Sequence, residues 1–375
     1  MKRLIAVMRA TAAIVLLLSI ITGQAWGDFL YKVTDLGTLG GVGVDAHGIN
    51  NNGQVVGISG TAAGEFHAFL YSGGSMQDLG TLGGPYSGAF GINDNGHVVG
   101  DAATTKPNSM YAAVYRDGSM HNLGTFGGAD STSSAYGINS SGQIVGSSGT
   151  ATGGGHAFLY SDGSMQDLGT LGGRSSHAYG VNDSGQVVGE SDTEGRNRAF
   201  LYSNGSMQDL GTLSGAHSIA RAINNSGQVV GSSDTSGGAY SHAFLYENGS
   251  MQDLGTLGGT TSHANDINNL GQVVGQAFSN VDSHAFLYSG GVMWNLQDMI
   301  DPTSGWTLVE ARGINDNGWI VGFGMLDGQS GSRAFLLTPV VPEPSSLIIF
   351  ATGGIVSAGW SWRRRRKRER RSSRL

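Results

Sequence analysis

The 375-residue chain has no cysteine. That excludes disulfides, thiolate metal sites and cysteine nucleophiles, and it leaves an apolar core to hold a body of this size together. Cationic side chains are scarce between residues 28 and 340, where 9 Lys plus Arg stand against 26 Asp plus Glu. The resulting charge of −17 is reduced to −7 for the whole chain by two basic ends. So acidic a body stays soluble and argues against nucleic acid as a partner. The chain also lacks a phosphate loop, a zinc motif and a Ser-His-Asp set in a fixed local context, so no cofactor is expected. Glycine is abundant, at 64 residues. It follows no collagen period, so turns must account for it.

The two ends differ from the body. Met1-Lys2-Arg3 and Arg9 precede an apolar run from Ala10 to Ile21, followed by Gly23-Gln24-Ala25-Trp26-Gly27. A charged region, a short apolar region and a small-x-small site make a secretory signal. Residues 1–27 are expected to be a signal peptide read by the Sec export machinery, cleaved near Gly27 with Ala25 and Gly27 as the small residues. At the other end Val341-Pro342-Glu343-Pro344 leads into an apolar stretch over 347–362, and then into a run of Arg and Lys from Arg363 to Arg371. The prolines keep the approach extended. The apolar stretch is just long enough to span a bilayer. The basic cluster holds the terminus in the cytoplasm and leaves the repeats on the far side. Trp360 and Trp362 fall where an interfacial aromatic belt belongs.

This order of parts resembles the PEP-CTERM sorting domain of Gram-negative bacteria. The resemblance covers residues 341–375 and implies recognition of Pro342, Glu343 and Pro344 by an exosortase, a membrane transpeptidase-like enzyme. It also implies a transient inner-membrane anchor through a transmembrane helix at 347–362, then transfer to the cell surface or extracellular matrix.

The body, residues 28–340, is repetitive. Asn50, Asn93, Asn139, Asn182, Asn224, Asn268 and Asn315 each follow Ile or Val, at spacings of 43, 46, 43, 42, 44 and 47. Three residues after each comes a Gly, then an apolar pair and another Gly, as in Gly185-Gln186-Val187-Val188-Gly189. Around the fourth copy, four strands are expected. They are His156 to Tyr160, Met165 to Gly169 after an Asp162-Gly163 turn, His177 to Asn182 after a Thr170-to-Gly173 loop, and Gln186 to Gly189. Four antiparallel strands in 42 to 47 residues match a propeller blade. Apolar residues at both parities, as in Ala157-Phe158-Leu159-Tyr160, fit sheets buried on both faces.

The expected fold is all-β, seven four-stranded antiparallel units in a closed seven-bladed β-propeller. The chain enters at Tyr31 to Gly37, a second strand without a first, and leaves at Arg333 to Leu337, a first strand without a second. Pairing the two would complete the seventh unit and remove two exposed edges. The alternative is an open β-repeat or parallel solenoid, which tight antiparallel hairpin turns disfavour.

The repeated His-Ala-Phe at His67, His156, His242 and His284 resembles the HAF family of extracellular repeats, with Arg198, Arg333 and Tyr111 at the same place in other copies. The resemblance implies a repeat type and no catalytic residue. A position that tolerates Arg and Tyr is not a metal-ligand set. Asp35, Asp78, Asp167, Asp209 and Asp253 share their place with Asn122 and Asn295, which suggests capping of the adjacent Gly-rich loop rather than calcium binding. Asp94, Asp183 and Asp316 in the Asn-x-x-Gly turns share theirs with Asn51, Ser140, Asn225 and Asn269, in a likeness to Asp-box turns. No metal is expected. Glu310 and Asp301 are the one carboxylate cluster to inspect for catalysis.

Two places vary inside otherwise constant repeats. One is the set of loops such as Asp101 to Ser109 and Ser232 to Ser241, which suggests a multipoint binding face. The other follows an Ala present in all seven copies and reads His47, Phe90, Tyr136, Tyr179, Arg221, Asn265 and Arg312. Such a set suits sugars by stacking and bidentate hydrogen bonding, or simple packing between units. The expected function is non-enzymatic: an exported surface or matrix module that binds exopolysaccharide. Alternatives are a carbohydrate-active enzyme on a propeller scaffold and a purely structural matrix filler.

Overall fold

A computed structural model describes residues 30–340, apart from 108, 128–130, 194, 237–239, 280 and 281. The expected signal peptide, the sorting motif at Pro342, Glu343 and Pro344, and the expected helix at 347–362 lie outside these residues. Among the described residues no helix is long and apolar enough to cross a membrane. The chain to Thr338 forms one compact unit.

Among the described residues the regular structure is strand, apart from one 3-10 turn, Leu296–Met299. The fourth sheet shows the pattern. Its strands are Ser176–Val181, Val187–Asp192, Asn197–Ser203 and Ser206–Asp209, each antiparallel to the next. The sheets therefore begin two strands later than the sequence repeat suggested. His156 and Met165 belong to the third sheet, and the Thr170-to-Gly173 loop connects sheets rather than strands of one sheet. The last turn of each of the first six units is left-handed at both central residues. Asp162 and Gly163, for example, have φ of 53° and 79°. That is the hairpin turn whose twist matches the strands.

Apolar side chains of both parities are buried because each sheet is covered on both faces. Val187 packs with Val145 and Ala157 of the third sheet. Val188, its neighbour, packs with Ala220 and Phe244 of the fifth. Seven such clusters are present among the described residues, one for each pair of successive units and one joining the seventh to the first. In the last of these Val321, Ala334 and Leu336 meet Leu36, Val44, Ala46 and Phe69.

The seven repeated asparagines explain themselves here. All are buried. Asn182 Oδ1 accepts from the backbone N–H of Ser184 and Gln186, which fixes the turn. Its Nδ2 donates to the carbonyl of Asn224 in the next unit. The same bond recurs from Asn50, Asn93, Asn139, Asn224 and Asn268 to the next copy, and Asn315 Nδ2 donates to the Asn50 carbonyl at 2.9 Å.

The seventh sheet has the order Tyr31–Asp35, Arg333–Pro339, Ile320–Leu326, Trp306–Ile314. The N-terminal strand is thus its fourth strand. Leu36 N–H donates to Ala334 O at 3.1 Å, and Arg333 pairs with Asp35.

Candidate functional site

Residues of the first strands of all seven units line one cavity. In each unit the pairing of this strand slips by one residue between an Ala and the second residue after it. In the fourth unit Ala178 pairs with Gly189 and Gly180 with Val188, which leaves Tyr179 unpaired. The slip recurs at His47, Phe90, Tyr136, Arg221, Asn265 and Arg312. A bulge of this kind turns its extra residue away from the pleat. All seven bulged residues line the cavity, whose volume is about 670 Å³.

The rim of the cavity includes the Asn-x-x-Gly turns. There Asn51, Asp94, Ser140, Asp183, Asn225, Asn269 and Asp316 bond from one unit to the next, as in Asn269 N–H to Asp316 Oδ1 at 2.9 Å. The described residues of the variable loops Asp101 to Ser109 and Ser232 to Ser241 do not line it. The loop variation therefore lies away from this cavity. The informative variation is at the bulges.

The lining divides into two sectors. His47, Phe90, Tyr136 and Tyr179 form a run of rings, with centroids 5.3, 5.6 and 5.3 Å apart in order. Arg221 continues it, its guanidinium 4.8 Å from the Tyr179 centroid. Asn265 Nδ2 donates to Glu310 Oε1 and to the Ala311 carbonyl, both at 2.9 Å. Arg312 Nη2 lies 3.3 Å from Glu310 Oε2, and its Nη1 lies 3.1 Å from His47 Nδ1. Burial, reinforced by Arg312, lowers the His47 pKa to about 3, so the ring is neutral.

Glu310 reaches the cavity, whereas Asp301 does not line it and accepts from the Thr303 N–H and hydroxyl, so the two do not form a site. A different carboxylate does enter. Asp266 stands where five units carry Gly and one carries Ala222. Its Oδ2 accepts from Ile314 N–H of the next unit and its Oδ1 from Ile267 N–H. The signal that could have found it was the broken Ala-x-Gly pattern at Ala264-Asn265-Asp266.

Burial raises the Asp266 carboxyl to about 7, against the two N–H bonds and with Asp316 adding to the rise. Burial raises Asp101 to about 6, with the Ser134 hydroxyl opposing. A carboxyl whose folded pKa exceeds its unfolded value of about 3.9 binds its proton more tightly in the fold. Stability then falls as pH rises from the unfolded to the folded value and stays low above it. His47 acts in the opposite sense, but only up to about pH 6.5, the unfolded value. Asp101 has no further effect much above pH 6. Between about pH 6.5 and 8 Asp266 therefore governs the slope. Asp266→Ala is expected to gain stability over the parent as pH rises from about 4 to 7, by on the order of 1.4 kcal/mol per pH unit, and to gain little more above that. Melting curves of both proteins at pH 5, 6.5 and 8 check this. A constant offset between them would contradict it.

The strand-edge positions have structural work. The Asp or Asn at the end of each fourth strand accepts from the backbone N–H two residues on, in all seven copies, as Asp167 Oδ1 does from Gly169. His67, His156 and His242 use Nδ1 on the second oxygen of Asp78, Asp167 and Asp253, at 2.8 to 2.9 Å. These residues are spread over separate units. Among the described residues no three His, Asp or Glu side chains converge on one point.

Residues 340–366 match a family model described as a PEP-CTERM protein-sorting motif. The match implies export and processing by an exosortase. It covers the tail and does not extend to the repeats, and no curated protein matches the chain in sequence. Among solved structures the chain is similar to the β-propeller domain of the Trilobed protease from Pyrococcus furiosus, with 8% identity, 84% of this chain and 94% of that chain covered, and a TM-score of 0.49. It is also similar to TolB from Acinetobacter baumannii, with 13% identity, 76% and 80% covered, and a TM-score of 0.43. AofleA from Arthrobotrys oligospora matches with 8% identity, 72% and 90% covered, and a TM-score of 0.38. The chain is an all-β repeat protein of four-stranded antiparallel sheets that carries a PEP-CTERM sorting motif.

Proposed function

We propose that this is a cell-surface or extracellular-matrix protein whose seven sheets close into a propeller, and that its central cavity binds a saccharide of the exopolysaccharide class without chemical change. Closure is supported by the Asn315–Asn50 bond and by the N-terminal strand in the seventh sheet. The observation that carries the binding reading is the set of bulges. Elsewhere strand segments recur closely, with Ser-Met-Gln-Asp-Leu-Gly at Ser75, Ser164, Ser206 and Ser250, and the described residues of the variable loops do not line the cavity. At the bulge all but the two tyrosines and two arginines differ from one another, and every one of these side chains lines the same cavity. A run of rings set edge-on or tilted to one another, beside the Arg221 guanidinium, fits the faces and hydroxyls of sugars.

The presence of Glu310 and Asp266 in the cavity supports a second reading, a carbohydrate-active enzyme. Their bonding disfavours it. Glu310 engages Asn265 and Arg312 with its two oxygens, and both Asp266 oxygens accept backbone N–H groups. A general acid needs an oxygen facing the leaving group. Incubating the full-length protein in detergent with a polysaccharide panel is expected to give retention without release of new reducing ends. Turnover would replace the binding reading with the enzymatic one.

For the tail, Glu343→Ala is expected to leave the protein in the membrane fraction of a host that has an exosortase, because the apolar stretch and arginines remain while the motif is broken. Release at the parental level would reduce the tail to a plain anchor.

A further inference from the structure

The cavity holds two guanidinium groups with different surroundings. Arg312 lies against Glu310, Asp45 and His47, so its charge is matched inside the protein. Arg221 is exposed, and no carboxylate among the described residues pairs with it. The pKa of its neighbour His263 is lowered by burial and then by Arg221 itself, with Glu310 opposing. Glu190, on the far side of Tyr179, is committed to the Tyr179 hydroxyl at 2.6 Å and to Asn197. Arg221 is therefore a fixed positive charge facing an open space, with its plane laid over an aromatic ring that limits its motion.

On its own unit and the next the rim is uncharged, with Asn225 and Asn269 in the turns. On the preceding unit the Asp183 carboxylate is held by the Ser140 hydroxyl and by Asn225 Nδ2. An acidic body with this one unmatched cation in its cavity is arranged for one negative group at one place. Tyr179 and Tyr136, with rings 5.3 Å apart, supply an apolar platform next to that place.

We propose that the ligand is an acidic sugar, a uronic-acid residue of a polysaccharide, with its carboxylate on Arg221 and its ring against Tyr179 and Tyr136. This rests on the saccharide-binding reading above and narrows it. The guanidinium fork takes both carboxylate oxygens, a geometry that a neutral hydroxyl does not reproduce. The cavity volume of about 670 Å³ lies within the usual range of about 300–1,000 Å³ for small-ligand sites.

The test uses the full-length protein in detergent on immobilised alginate, polygalacturonate, hyaluronan and xanthan. Dextran, β-glucan and galactan serve as neutral counterparts, and each acidic polymer is also presented after its carboxylates have been reduced to alcohols. Retention on at least one acidic polymer is expected, with loss on its carboxyl-reduced form. Arg221→Gln is expected to weaken that retention about tenfold or more, as a charge-assisted pair should. Its melting temperature should fall by no more than a few degrees, because only an exposed cation–π contact of about 0.5–1 kcal/mol is lost. Arg116→Gln, on an exposed position outside the cavity, should bind as the parent does. Acidic binding that survives Arg221→Gln overturns the proposal. Binding to neutral polymers alone overturns it while leaving the saccharide reading intact. Retention on none of the polymers overturns both.

Discussion

A chain lacking residues 28–37 melts about 10 °C or more below its parent and scatters light on heating, because those residues complete a sheet whose other three strands lie some 300 residues away. Tyr31 is 2% exposed and Leu36 is 4% exposed. Tyr31 packs with Trp306, Phe335 and Leu337, and Leu36 with Val44 and Ala334. Truncating one such side chain costs about 2–5 kcal/mol. Each kcal/mol moves the midpoint of a large domain by about 2–4 °C. Removing the strand also strips the outer edge of Arg333–Pro339 and leaves Arg333 without Asp35. A bare edge is a template for pairing with another chain, hence the aggregation. In an open stack the first ten residues of the body would be a fraying terminus, and their loss would hardly register. Calorimetry with light scattering on the two proteins decides. The double variant Tyr31→Ala, Leu36→Ala should fall in between, since it removes the burial and keeps the backbone pairing. A truncated chain that melts with its parent would leave the open array as the better description.

Much of this was legible in the sequence, and the parts that were not share a cause. The Asp-Gly and Asn-Gly turns, the Asp and Asn caps, the burial of both strand faces and the pairing of Tyr31 to Gly37 with Arg333 to Leu337 depend on local chemistry or on counting strands. Sheet boundaries do not. In a chain of antiparallel strands every strand could pair with both of its sequence neighbours, so the repeat has a period but no phase. The Thr170-to-Gly173 loop sets the phase by being too long and too irregular for a hairpin, and its own residues look like any other turn. For the same reason the inner strand could not be chosen, and the seven variable residues could be read as packing or as a site. The bulge brings all seven to one cavity. Its trace in the sequence is an Ala-x-Gly on one strand facing a Val-Val-Gly on the next, a pattern of glycines rather than of functional side chains.

That facing glycine carries the second large effect. Gly189→Ala is expected to destabilise the protein by more than any turn glycine does, and to distort the cavity as well. Gly189 lies opposite Ala178 at the bulge. A Cβ placed on it would overlap the His177 carbonyl oxygen and the Ala178 Cα, both of them main chain. The glycine in this place meets the same obstacle in all seven units, at Gly57, Gly100, Gly146, Gly189, Gly231, Gly275 and Gly322. None of the seven has a positive φ, so the need is for space rather than for a left-handed backbone. No rotamer change relieves a clash between backbone atoms, and either the strands separate or the bulge moves. Forcing extra methylenes into packed sites costs about 1–3 kcal/mol when side chains can yield. Here the cost should exceed that range. Gly205 is the control. Its φ is +80° and a Cβ there meets nothing within 4 Å, so Gly205→Ala should cost only the left-handed penalty of about 1–2 kcal/mol. Denaturant titration of both variants ranks the two effects. Tyr179 follows Ala178 in the bulge, so any surviving folded Gly189→Ala protein should lose polysaccharide retention, while Gly205→Ala keeps it. A Gly189→Ala protein as stable as Gly205→Ala, with retention intact, would mean that the bulge does not hold Tyr179 in the cavity.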